Sequence, residues 1–188
     1  MIRTATFHDV PFIVSNIYNN LVLTSKAIPE IKATTSTAKQ QQWFPLDKKR
    51  DPRYPLTVFT VNDNIVGFAI LEKFHPRSAY SITAELSIFE MQGYPTYQVT
   101  ESLLKDVIIR AKILDFFSII GKEKNKHFEF SLLMQKKFLF HHLVHVFDDD
   151  DKTLNIYKNH GFEIKGKLTK CLEKLGTPYN VHFLQLIL

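Results

Sequence analysis

The 188-residue chain has a single cysteine, Cys171, which excludes an internal disulfide and a cluster of thiolate metal ligands. That agrees with a reducing compartment, and a packed thiol is the expectation for Cys171 itself. No stretch reaches the roughly 18 apolar residues that a membrane-spanning helix needs. The opening Met1-Ile2-Arg3-Thr4-Ala5 carries no apolar run of leader length, so a cytoplasmic address and no membrane partner are expected by default. There is also no repeat, low-complexity tract or Gly/Ser linker. One domain over residues 1–188 is expected, a length that supports one well-buried core.

What is present is apolar bulk: 45% hydrophobic and 13% aromatic residues, with 16 phenylalanines spread along the chain, exclude a disordered protein. The net charge of +5 would suit an anionic partner, yet lysines such as Lys122, Lys124, Lys126, Lys136 and Lys137 are dispersed. They lack the arginine and aromatic interleaving of a nucleic-acid platform, so no nucleic acid is expected.

The order of elements carries more information. Ile2-Arg3-Thr4-Ala5-Thr6 reads as a strand; a helix then starts at His8-Asp9-Val10-Pro11, with Asp9 as N-cap and Pro11 in the first turn. A second helix ends near Trp43-Phe44, before Pro45. Leu56–Val61 and Ile65–Leu71 are β-rich runs joined by Asn62-Asp63-Asn64, a hairpin, and a third strand spans Tyr80 to Phe89. Leu103, Leu104, Val107, Ile108 and Ala111 recur at helical spacing, which predicts a helix from Thr100 to about Leu114, followed by a buried strand at Phe116–Ile120. A helix over Lys152–Asn159 stops at Gly161, and strands at Phe162–Ile164 and Val181–Leu188 close the chain. This is an α+β order (an α/β three-layer arrangement), one sheet carrying helices.

The segment Phe74-His75-Pro76-Arg77-Ser78-Ala79-Tyr80-Ser81-Ile82-Thr83-Ala84-Glu85-Leu86-Ser87-Ile88 resembles the stretch of phosphinothricin acetyltransferases, in the GNAT superfamily of N-acetyltransferases, that joins two central strands and ends in a glutamate-bearing strand. Ile17-Tyr18-Asn19, Trp43-Phe44, Tyr54-Pro55, Asn64–Ala69 and Tyr157-Lys158-Asn159-His160-Gly161-Phe162 are similar to the family in the same order. The resemblance spans almost the whole chain, apart from an apparent insertion at about 124–147. It implies the GNAT fold, a central mixed, mostly antiparallel sheet flanked by helices. It also implies acetyl transfer from acetyl-CoA to the amine of a small molecule, an amino acid or analogue, by direct attack, in a chain that could form a homodimer.

Acetyl transfer from a thioester requires an amine to lose a proton, an oxyanion to be stabilised and a thiolate to be protonated. The resemblance assigns Glu85 as general base and Tyr157 as proton donor to the sulfur; a phenol with a reference pKa near 10 suits that role. Backbone N–H groups beside Ile88 would polarise the acetyl carbonyl. Phe74, Arg77 and Tyr80 would line the acceptor entrance, with Arg77 placed to pair with a carboxylate. Thr96, Tyr97, Gln98, Val99 and Thr100 would form the pyrophosphate loop, with Asp150 and Thr153 also near the cofactor.

Here the chain departs from the family. Thr96, Gln98 and Thr100 stand where the family has glycines, Pro95 where it prefers Gln or Arg, and Thr100 could equally be an ordinary N-cap. Glu90, Glu101 and Asp150 add negative charge around the expected phosphates. A GNAT-shaped binding protein that does not use acetyl-CoA is therefore the alternative reading. The insertion, with Phe128, Phe130, Phe138 and Phe140, is too apolar for a free loop. His141, His142 and His145 do not share one face of a strand, and no metal is expected.

Overall fold

The computed structural model describes residues 1–45, 49–94, 96–120, 141–147 and 151–188. Strand β1 (Ile2–Thr4) leads into a 3-10 turn at Phe7–Asp9, helix α1 (Val10–Ile13), a π turn at Val14–Tyr18 and helix α2 (Asn19–Thr24). Asp9 does not cap this run from outside. Thr6 holds the N-cap position, and the Asp9 carboxylate accepts from the Thr6 N–H at 2.7 Å and from both terminal nitrogens of Arg3 at 2.8 Å. Val10, Ile13, Val14, Ile17, Leu21 and Val22 form the buried stripe. Helix α3 (Ser36–Trp43) is capped by the Thr35 hydroxyl, which accepts from the Ala38 N–H at 3.2 Å.

Strands β2 (Leu56–Val61) and β3 (Asn64–Lys73) form the expected hairpin, its turn made by Asn62 and Asp63 at φ 48° and 62°. Short polar side chains tolerate that left-handed backbone, which matches the strand twist. A one-residue bulge at Val66 lets β3 send both Val66 and Gly67 toward the same face. Strand β4 (Thr83–Glu90) begins later than Tyr80 because Ser78–Tyr80 closes into a 3-10 turn.

Helix α4 (Thr96–Ile120) corrects the sequence reading at both ends. It starts four residues before Thr100, and it continues through Phe116–Ile120, which is helix and not a strand. No glycine or proline lies between Thr96 and Ile120, and Gly121 is the first breaker, so nothing stops the helix where the aromatic and β-branched run begins. Strand β5 (His141–Phe147), in the last part of the apparent insertion, is a strand of the sheet. Helix α5 (Asp151–Asn159) ends as expected before Gly161 at φ 88°. Strands β6 (Glu163–Lys174) and β7 (Thr177–Ile187) are a longer hairpin than the apolar pattern suggested, turning at Leu175 and Gly176 with positive φ.

The sheet order is β1-β2-β3-β4-β5-β7-β6, antiparallel except for the parallel β4–β5 pair. Strand β6 is an edge, which explains its exposed, lysine-rich sequence and why Cys171 is exposed there and not packed. One core, including Leu86, Leu103, Leu104, Val107, Tyr157 and Leu184, lies between the sheet and α4 with α5. The other, including Ile13, Ile17, Trp43, Phe68 and Ile70, lies under α1–α3. No described helix is long and apolar enough to cross a membrane.

Candidate active site

The sheet opens between β4 and β5. The β3–β4 ladder runs from Lys73↔Ala84 to Gly67↔Glu90, whereas β4 pairs with β5 only at Thr83↔His141, Ala84↔His142 and Glu85↔Leu143 among the described residues. Beyond Leu143, β5 continues alongside β7 and β4 continues alongside β3, so the two strands part. The Met91 N–H donates to Val66 O at 2.8 Å, toward β3. Because backbone donors alternate sides along a strand and the Glu85↔Leu143 pair uses the Leu86 N–H, the N–H groups of Ile88 and Glu90 face the opening.

A cavity of about 720 Å³ occupies this opening. It brings together four of the expected site residues: Glu85 and Ile88 on β4, and Thr153 and Tyr157 on α5. Tyr157 is buried and is held from below by Phe162, with ring centroids 5.1 Å apart at 78°. The Phe162 N–H donates to Tyr157 O at 3.1 Å, a contact that the left-handed Gly161 makes possible.

Sequence reasoning missed the other end of the cavity. Tyr18, Glu30, Lys39, Trp43 and Glu72 line it. Glu72 is the direct cross-strand partner of Glu85. Its carboxyl is raised above the ordinary glutamate value, first by burial and also by Glu85 and Glu30, against the opposing pull of Arg50 and Lys39. The Tyr18 hydroxyl donates to Glu30 Oε1 and is itself raised, chiefly by burial. Lys39 Nζ lies 4.2 Å from the Tyr18 ring centroid, 5.3 Å from that of Trp43 and 3.9 Å from Glu30 Oε1; burial lowers its pKa. Glu72 was detectable only as a carboxylate ending the apolar run of β3, and placing it beside Glu85 requires the hairpin register. The loop carrying Glu30 is tied down by Lys174 of β6, whose buried ammonium donates to Ile28 O at 2.6 Å and to Glu30 O.

Other expectations fall elsewhere. Thr96 to Thr100 are the first residues of α4 and none lines the cavity. Tyr97 is 58% exposed and Gln98 is exposed; Val99 is packed in the core, and Thr100 is neither loop nor N-cap but buried, donating to Glu90 Oε2 at 3.1 Å. Without glycines this segment simply extends the helix toward its N-terminus. The connection is Met91–Tyr94, which does line the cavity, and its turn is made by Gly93 at φ 91°. Glu101 is engaged by Lys105 at 2.7 Å. Phe74, Arg77 and Tyr80 do not line the cavity; Phe74 and Tyr80 pack on each other, with centroids 5.8 Å apart, at the opposite end of β4. Asp150 lies outside the described residues. Among the described residues no group of three or more His, Cys, Asp or Glu is arranged to hold a metal.

The site suits an extended acyl thioester: a strand edge with unladdered donors, a tyrosine across the opening, and the start of a long helix beyond Met91–Tyr94. Neither the protein-family models nor the curated proteins match the chain. Solved structures do. A GNAT-superfamily phosphinothricin acetyltransferase from Sinorhizobium meliloti, in complex with acetyl-CoA, is 18% identical with TM-score 0.78, over 100% of this chain and 88% of that one. A ribosomal-protein-alanine N-acetyltransferase from Brucella melitensis is 20% identical with TM-score 0.76, over 100% and 99%. An N-acetyltransferase from Staphylococcus aureus Mu50 is 21% identical with TM-score 0.75, over 100% and 97%. The chain has the GNAT fold.

Proposed function

We propose that this chain is an N-acetyltransferase that moves an acetyl group from acetyl-CoA to the amine of a small molecule by direct attack. The observation that carries this reading is the parting of β4 from β5 immediately after Glu85, which sets a carboxylate, a row of backbone donors and a buried tyrosine around one cavity. When bound, acetyl-CoA supplies the activated acetyl group as a thioester. Ile88 N–H is placed to donate to the acetyl oxygen as it gains charge. Glu85 takes the proton that the amine must lose, directly or through water, and the Tyr157 hydroxyl gives a proton to the departing sulfur. As the N–C bond forms the C–S bond breaks, leaving an amide and a thiol.

The residues present fit the cofactor without the glycines of the family loop. Gly93 makes the sharp turn, and the N–H groups of Thr96, Tyr97 and Gln98 at the start of α4 are available as donors because a helix leaves its first N–H groups without internal partners. Lys152, at the start of α5, adds a positive charge to the cavity lining.

Thermal unfolding with and without acetyl-CoA tests the reading first. Binding to the folded chain raises the midpoint by mass action, by about 2.7 kcal/mol of added stability at a hundred times the dissociation constant. No shift at millimolar acetyl-CoA, together with no thiol release over an amine panel, would remove the enzyme reading and leave a GNAT-shaped binding protein.

A further inference from the structure

Among the described residues, the acceptor end of the cavity has more carboxylates than cations, and the cations there are already engaged. Glu30, Glu72, Glu85 and Glu90 line the cavity against Lys39 and Lys152. Of these, Glu30, Glu72 and Glu85 meet on the face of the sheet covered by α1–α3. Arg50, just behind them, spends its guanidinium on the backbone: Nη1 donates to Trp43 O at 3.0 Å, while Nε and Nη2 donate to Tyr54 O and Leu71 O. Lys39 is equally committed, donating to Gln42 Oε1 at 3.0 Å while it lies over the rings of Tyr18 and Trp43. Arg77, the residue that could have paired with an amino-acid carboxylate, is not at the cavity. A substrate carboxylate would therefore meet Glu72 and Glu30 with no free guanidinium to offset them.

We infer that the acceptor is a cationic amine without a carboxylate, a short diamine or similar molecule, whose second ammonium is held between Glu72 and Glu30 while its reacting nitrogen faces Glu85. The inference rests on the acetyl-transfer reading for the identity of the reacting end, but the charge preference belongs to the cavity itself. Three observations converge on it: the cross-strand Glu72–Glu85 pair, the engagement of Arg50 by backbone carbonyls and of Lys39 by Gln42 and Glu30, and the aromatic side chains of the lining. Tyr18, Trp43 and Phe89 line the cavity, and aromatic faces favour ammonium over carboxylate, as the seat of the Lys39 ammonium over Tyr18 and Trp43 illustrates. Glu72, raised by burial, regains the ionised form when a cation arrives beside it. In the transfer step the distal ammonium keeps its proton. The near nitrogen reacts as the neutral amine, its ammonium proton already lost to water: it gives one further proton to Glu85 as the N–C bond forms, the C–S bond breaks, and the departing sulfur takes a proton from Tyr157.

The test compares three probes of nearly equal length that differ at one end: 1,4-diaminobutane, butylamine and 4-aminobutanoate. Calorimetric binding to the full chain, without cofactor, should rank the diamine at least roughly tenfold above butylamine, with 4-aminobutanoate weakest, as expected for a partly desolvated charge pair. Glu72→Gln and Glu30→Gln, each confirmed as folded by its unfolding midpoint, should bring the ratio of diamine to butylamine toward one. Equal binding of the three probes, a preference for 4-aminobutanoate, or a diamine preference that survives both substitutions would overturn the inference. Thiol release with acetyl-CoA is scored separately. Failure there with intact diamine selectivity refutes the transfer reading alone, whereas turnover that favours 4-aminobutanoate refutes the acceptor class alone.

Discussion

Glu72 and Glu85 stand directly opposite each other on adjacent antiparallel strands, two carboxylates on one face at the same rung of the ladder. Like charges so placed oppose each other and are retained only where something other than stability benefits. Glu72 holds its proton more tightly in the folded chain than the ordinary value of about 4.5 for the unfolded one. The folded state thus binds more protons, and stability falls as pH rises from 4.5 through the raised value. Glu72→Gln should remove this slope and be relatively more stable than the parent at pH 8 than at pH 4. Unfolding midpoints across that range measure the difference.

Glu85→Gln should lower kcat by roughly 10²–10⁴ if Glu85 takes the amine proton, with the largest loss at the lowest pH at which the parent still turns over. Tyr157→Phe keeps the ring against Phe162, so its folding should be little changed while thiol release slows. Unchanged turnover in either variant removes that residue from the chemistry.

Gly67 has no room for a side chain. A Cβ there would lie 2.4 Å from Val99 Cγ1 and 3.1 Å from Phe89 O. Gly67→Ala must push the first turn of α4 off the sheet, at about 1–3 kcal/mol. Because that helix begins just after the Met91–Tyr94 connection, affinity for acetyl-CoA should fall along with the unfolding midpoint. Gly67→Ala combined with Val99→Ala should recover part of both.

Asp9 is held at a pKa of about 2, first by the Arg3 guanidinium and then by Thr6. Its folded value lies below its unfolded one, so its contribution is complete above about pH 4 and is lost as pH falls through 2. Asp9→Asn should cost about 1 kcal/mol at pH 7, a typical value for losing a helix-cap contact, and clearly less at pH 2. Chemical denaturation at the two pH values tests this.

Lys174→Met should leave the Ile28 and Glu30 carbonyls without their buried donor, at a cost of about 1–3 kcal/mol. Amide exchange over residues 25–34 should rise more than in the β2–β3 hairpin. If exchange rises equally everywhere, the lysine stabilises the fold as a whole and does not specifically hold this loop.

The legible parts of the sequence were those whose signal is local. Alternating runs around Asn62-Asp63 define the β2–β3 hairpin, and Gly161 marks the end of α5. The segment around Glu85 carried a resemblance, and the fold it implied is the fold found. Phe116–Ile120 misled because its aromatic and β-branched residues suit a strand, whereas continuity with an unbroken helix decides the outcome. Thr96–Thr100, expected as a loop, are the start of α4, and the turn before it is made by Gly93. Arg77 was chosen for its charge and its neighbours in sequence, yet the 3-10 turn at Ser78–Tyr80 keeps it at the other end of the strand. Glu72, Glu30 and Lys39 lie on separate elements, and nothing short of the tertiary arrangement brings them together.

The bond from Lys174 to the Glu30 carbonyl joins residues 144 positions apart. Strand β7, also late in the chain, must enter between β5 and β6 before β6 has a sheet neighbour among the described residues. During synthesis the N-terminal helices and the β2–β3 hairpin can form early, but the loop carrying Glu30 has no anchor until the final hairpin has left the ribosome. The pocket wall carrying Glu30 is thus completed last among the described elements, and a chain truncated before residue 174 would present β4 without that wall held in place.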